Sequence, residues 1–191
     1  MGRHFWSAGA EKEGLFTKAR TILCLCAVLF LYGCGAAQPR AITLAQAQAA
    51  LAEPLSSDLC IQTGEITVEG RLERTGPEMY SFTVTSPQPL EGLTLSLQQQ
   101  ELRLGYREME LELKPEVLPG SFALSALNQM LDELMRQQEF SFSNTQDGGG
   151  ILSGKVSGRN FELTLDPQCC PLSFSLPEEG VVIQWPPKTA S

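Results

Sequence analysis

The chain has 191 residues with 14 Lys or Arg, 22 Asp or Glu and one His, a net charge of −8 at neutral pH. Its length suits one domain with a real core. The acidic balance excludes nucleic acid, whose phosphates call for a basic patch, and excludes flat electrostatic docking onto anionic lipid.

The first predicted element is a leader. Lys18 and Arg20 precede an apolar run that closes on Leu31-Tyr32-Gly33-Cys34. A basic region, an apolar stretch of roughly a dozen residues and a small residue before the cut make a secretory signal. The run from Ile22 to Tyr32 is short of the ~20 residues that a spanning helix needs. The Cys directly after Gly33 makes the segment resemble a bacterial lipoprotein signal, although Tyr32 departs from the small or aliphatic residue usual there. That resemblance implies a signal peptide over residues 1–33, acylation of Cys34 (palmitate is one such chain) and an anchor on the extracytoplasmic face of a cell membrane.

Cleavage before Cys34 removes four basic and two acidic residues, so ten basic and twenty acidic residues remain, a net of −10. The sole His, His4, leaves with the leader. Without an imidazole, Ser-His-Asp and Cys-His catalysis and His-based metal sites are excluded. A binding protein is expected, without enzyme activity, cofactor or metal. Cys60, Cys169 and Cys170 would lie outside the cytoplasm, where disulfides persist. Cys60 could bridge to Cys169 or to Cys170 across roughly 110 residues, worth about 4–5 kcal/mol in the chain-entropy account. The alternative is three reduced, buried thiols.

Residues 34–41 read as a tether, with Gly35-Ala36-Ala37-Gln38-Pro39-Arg40 small and aperiodic. A single domain is expected over 42–187. Thr43-Leu44-Ala45-Gln46 has the form of a capping box. Leu44, Ala47 and Leu51 share one face of the short helix that follows, and Pro54 stops it. From Ile61 the period changes to two. Ile66, Val68 and Leu72 alternate with Thr67, Glu69 and Arg71. Further alternating runs centre on Tyr80–Val84, Leu93–Leu97, Leu102–Tyr106 and Met109–Leu113. Such alternation marks antiparallel strands with one dry and one wet face, linked here as an up-and-down meander.

Leu124, Leu127, Leu131 and Leu134 then recur at helical spacing, with Met130 and Met135 beside the stripe and Asp132, Glu133 and Arg136 outside it. Ser121 is the expected N-cap. Strands resume at Glu139–Ser143, turn through Gln146–Gly150, and continue at Ile151–Val156, Phe161–Leu165, Leu172–Leu176 and Val181–Trp185. The economical arrangement packs both helices on the dry face.

The order of elements resembles the lipoprotein-carrier superfamily of LolA, LolB and the LppX-type lipoproteins. The local likeness is Tyr80-Ser-Phe-Thr-Val-Thr-Ser-Pro87-Gln-Pro-Leu90-Glu-Gly92-Leu93-Thr-Leu95, a strand ending at Pro, a short turn with Leu and Gly, and the next strand. Gly158–Asp166 followed by Pro171-Leu172-Ser173-Phe174 is similar as well. The resemblance covers about residues 42–185. It implies an α+β fold: a strongly curved antiparallel sheet, an incomplete barrel of roughly nine strands, covered on its concave face by helices. It further implies an apolar cavity for acyl chains or other lipid. Tyr80, Phe82, Leu95, Leu104, Leu127, Met130, Leu131 and Phe161 are the expected lining. No basic residue is carried across as a gate.

Two other features are read as structural. Glu108, Glu110 and Glu112 share one strand face, where three carboxylates stay hydrated and discourage edge pairing; glycosidase-type work needs one shielded carboxyl. Asp147 with Gly148–Gly150 lacks the Lys and Ser/Thr of a phosphate loop and reads as a hairpin turn. The expected partners are therefore the membrane, through the anchor, and a lipid or lipidated protein. The alternative is an envelope interaction module holding a partner such as a cell-wall enzyme, without a lipid ligand. A carboxylate-dependent hydrolase is the remaining alternative.

Overall fold

The computed structural model describes residues 41–98, 101–114, 119–136 and 140–186; the side chains of 119–122 are also outside the description. The signal segment 1–33, Cys34 and the tether to Arg40 lie outside the described residues.

Helix α1 spans Leu44–Ala52 and starts on the expected box. The Gln46 N–H donates to the Thr43 hydroxyl at 3.3 Å, and the Thr43 N–H donates to the Gln46 side-chain oxygen at 2.9 Å. Ala47 and Leu51 are buried from this helix.

Eleven strands follow: β1 (Leu55–Thr63), β2 (Ile66–Gly76), β3 (Met79–Ser86), β4 (Thr94–Gln98), β5 (Glu101–Tyr106), β6 (Met109–Leu113), β7 (Ser141–Asn144), β8 (Gly150–Val156), β9 (Arg159–Leu165), β10 (Pro171–Leu176) and β11 (Val181–Gln184). Helix α2 (Pro119–Met135) lies between β6 and β7 in the chain. All strands join one open antiparallel sheet in the order β6-β5-β4-β3-β2-β1-β11-β10-β9-β8-β7. This is two meanders joined where the first strand pairs with the last. The two edges of the sheet, β6 and β7, are therefore neighbours in the sequence.

Two expectations are corrected. The sheet has eleven strands where about nine were expected. One unread strand is β1, whose Ser56-Ser57-Asp58 stretch lacks the β-branched and aromatic residues that mark strands. Its partners on both sides, β2 and β11, make it central all the same. Ser121 is not an N-cap, because Pro119 and Gly120 before it already belong to α2.

Register carries one apolar face across the whole sheet. Leu111, Leu104, Leu95, Phe82 and Leu72 form one cross-strand row. Leu152, Leu163, Phe174, Ile183 and Ile61 form another from the opposite side. Thr67, Glu69, Arg71 and Glu73 on β2 face away, as the period of two requires. Gly150 is needed on the dry face: a Cβ there would stand 2.6 Å from the Phe142 ring.

Candidate functional site

The candidate site is the dry face together with what covers it. Helix α2 packs against β1, β8, β11 and α1. Leu124, Leu127, Met130, Leu131 and Leu134 are all buried from it. Each such side chain contributes about 1.5–3 kcal/mol of transfer free energy.

Seven of the eight residues expected to line a cavity, Tyr80, Phe82, Leu95, Leu127, Met130, Leu131 and Phe161, are buried within one continuous core. The eighth, Leu104, is half-buried at the edge of that core. Phe161 meets the Phe140 ring edge-on at 5.1 Å and stacks with Phe174 at 6.0 Å. Among the described residues, a cavity of about 50 Å³ lies between the end of α1, α2 and the β9–β11 side of the sheet. Leu51, Leu127, Leu131, Leu163 and Trp185 line it, so only two of the eight reach this space.

A buried ionic group ties α2 to the sheet. The Arg74 guanidinium donates to Asp132 Oδ1 at 2.6 Å and to Asn128 Oδ1 at 2.9 Å. The other carboxylate oxygen, Asp132 Oδ2, accepts the Glu78 N–H at 3.1 Å. The side chains of Arg74 and Asp132 are 2% and 6% exposed. Such a pair is weak evidence of net stability, but removing one partner strands a buried charge. The expectation that Asp132 lies outside the packed stripe is corrected, because Arg74 draws it in. A signal existed: Arg74 falls two residues after Leu72, in phase with the dry face.

Two further bonds set the helix in place. The Tyr80 and Ser125 hydroxyls are 3.2 Å apart, and the Ser157 hydroxyl donates to Gln129 Oε1 at 2.6 Å. Burial pushes the Tyr80 phenol above its ordinary value of 10.0, with the Ser125 hydrogen bond opposing.

Burial fades toward β6. Leu95 and Leu102 are buried, Leu97, Leu104 and Leu113 are half-buried, and Met109 and Leu111 are 67% and 56% exposed. Glu108, Glu110 and Glu112 are exposed. Arg103 bonds Glu101 at 2.9 Å and Glu110 at 3.4 Å on that outer face. No carboxylate of the three is shielded.

Asp147 and its glycines form the β7–β8 turn, closed by Gly148 N–H to Thr145 O and Thr145 N–H to Gly149 O, both 3.1 Å. Cys60, Cys169 and Cys170 are free thiols. Cys60 lies opposite Gln184, which lies opposite Ser173, so the 169–170 turn is two strands away. At about 4.8 Å per strand that exceeds the ~7 Å Cα reach of a disulfide. Desolvation pushes the Cys169 thiol up, with Asp166 and Cys170 adding to it, which disfavours a reactive thiolate. Among the described residues there is no group of three metal-ligating side chains, and no helix is long and apolar enough to cross a membrane.

No protein-family model matches the chain, and no curated protein matches it. Solved structures do. An uncharacterized conserved protein from Thermus thermophilus is 16% identical, with a TM-score of 0.46 over 75% of this chain and 82% of that one. A LolA superfamily protein from Nitrosomonas europaea is 10% identical, with a TM-score of 0.39 over 69% and 68%. A DUF1329 family protein from Desulfovibrio piger is 11% identical, with a TM-score of 0.38 over 77% and 93%. The solved structures similar to this chain thus include a LolA superfamily protein. At TM-scores below 0.5 these likenesses assign no task, and the functional reading rests on the residues themselves.

Proposed function

We propose that this chain is a membrane-anchored, extracytoplasmic binding protein whose dry sheet face takes a lipid acyl chain or the acyl group of a lipidated partner. The anchor rests on the lipoprotein-like Leu31-Tyr32-Gly33-Cys34. The single observation that carries the ligand reading is the overrun of the dry face beyond its helical cover, at Leu104, Met109 and Leu111. Among the described residues the apolar side chains form one buried core, and the cavity of about 50 Å³ beside it is a third of the ~150 Å³ that accommodates benzene. An acyl chain therefore enters from the β5–β6 end and advances only as α2 yields.

The same reading takes the sheet as curved. Eleven strands laid flat would separate β6 from β7 by about 48 Å, at ~4.8 Å per strand. Helix α2, 17 residues long, spans about 25 Å of the connection between them, so a curved sheet with α2 across its concave side shortens the reach. Binding is favoured over catalysis because the chain beyond residue 34 contains no His and Glu108, Glu110 and Glu112 are all hydrated.

Native mass spectrometry of the full protein, extracted gently from membranes, tests the ligand. A co-purifying lipid that is lost in Leu104→Glu/Leu111→Glu is expected; protein that is always free of lipid overturns the reading. For the anchor, an alkyne fatty acid should label the native protein and not Cys34→Ala. The interaction-module alternative is favoured by a separate observation, the edge strand β6, which among the described residues pairs only with β5.

A further inference from the structure

We propose that the free edge of β6 receives an extended segment of another protein in which apolar residues alternate with Lys or Arg. The inference concerns the strand's backbone and outer face and does not depend on an acyl ligand. Among the described residues β6 pairs only with β5. Tyr106 lies opposite Met109 across the two-residue turn Arg107-Glu108, which makes that closing pair hydrogen-bonded. By the alternation of an antiparallel ladder, Leu111 and Leu113 also bond inward. The N–H and C=O groups of Glu110 and Glu112 then point away from β5. A strand laid along this edge would find them free.

The two faces of β6 state what that strand must carry. Met109, Leu111 and Leu113 lie in phase with the dry face and lack a neighbour on the outer side. Apolar residues opposite them would extend that face by one strand and cover Met109 and Leu111, which are mostly exposed. Glu110 and Glu112 fall on the other face. Glu110 has only the 3.4 Å contact of Arg103, which Glu101 shares, and Glu112 has no ion pair among the described residues. Opposite charges directly across a ladder stabilise and like charges destabilise. A basic residue therefore suits each position opposite a glutamate. A second copy of this chain does not fit, since β6 against β6 sets glutamates beside glutamates.

The other edge argues by contrast. Strand β7 is four residues long and its end is occupied: Asn144 Nδ2 donates to the Ile42 carbonyl at 2.6 Å, and the Ile42 N–H to the Gly148 carbonyl at 3.3 Å. Natural sheets blunt their edges with short strands, covering segments or charge. This chain covers the end of β7 with its own backbone and guards β6 with negative charge alone, which repels an acidic strand and admits a basic one.

The full chain in zwitterionic detergent, titrated against labelled peptides of about ten residues, tests the proposal. Three probes are compared: alternating Val/Lys, alternating Val/Glu, and Val/Lys of the same composition in blocks. Two charge pairs changing from attractive to repulsive predict that alternating Val/Lys binds at least about tenfold tighter than alternating Val/Glu. Glu112→Pro removes an outward N–H without touching the bonds to β5 and should weaken binding by about as much. Glu110→Lys/Glu112→Lys should reverse the order of the two alternating peptides. Equal binding of all three probes, or an unchanged order in the charge-reversed protein, overturns the proposal. So does a dimer of the native chain that Glu112→Pro dissolves, which would make a second copy the occupant.

Discussion

The two ends of the sheet use the same alternating pattern and bury it to opposite extents. On the β8–β11 side, Leu152, Leu163, Phe174 and Ile183 are fully buried, and α2 packs against β8 and β11. On the β5–β6 side, Leu104 is half-buried and Met109 and Leu111 stand in solvent. Period-two alternation specifies which face is apolar; it does not specify whether anything covers that face. One end of this molecule is core and the other is surface, with the same residue types in both.

Substitutions that separate the two ends should differ most in stability. Phe174→Ala empties the middle of the sealed half and should cost about 3–5 kcal/mol, read as a lower denaturant midpoint. A change below about 1 kcal/mol would mean that the sealed half is looser than its burial implies. Asp132→Ala leaves the Arg74 charge buried and should cost up to about 3–5 kcal/mol. Arg74→Met combined with Asp132→Leu should recover most of that loss in a double-mutant cycle, because no orphaned charge remains.

A subtler effect follows from Tyr80. Its folded pKa lies above the unfolded value of 10.0, so the native chain holds a proton that the unfolded chain loses. Stability should fall as pH rises above about 10, and Tyr80→Phe should flatten that slope in alkaline unfolding curves. A slope unchanged in Tyr80→Phe would assign it to other groups. The smallest effect is expected at the bare end. Leu111→Ala should leave stability within about 0.5 kcal/mol, measured by thermal unfolding. A loss like that of Phe174→Ala would show that β6 is covered after all.

How much was legible follows the range of each cause. The capping box at Thr43 and Gln46 is local and is found as expected. So is the α2 stripe, since Leu124, Leu127, Leu131 and Leu134 are all buried. Strand β1 escaped reading because Ser56-Ser57-Asp58 carries no pattern of its own: that stretch is held by Arg71–Glu73 of β2, and only Cys60–Thr63 pair with the distant β11. Asp132 escaped for a similar reason. Helical spacing puts it beside the stripe, and only a cation 58 residues earlier makes burying it tolerable. For the candidate site, the apolar identity of the eight expected residues was readable. Their crowding into one core was not, because leucines that touch a ligand and leucines that touch each other look alike in sequence.

The sequence by itself determined the period of each element, the face it would bury and the absence of His beyond residue 34, because these depend on neighbours a few positions apart. Tertiary structure decided that the first and last strands pair, and therefore that β6 and β7 become the edges. It also decided that α2 would pack against β1, β8 and β11 while Met109 and Leu111 of β6 stay mostly exposed. A pairing between residues about 120 positions apart has no local signature: it is selected by the apolar area that the whole sheet can bury.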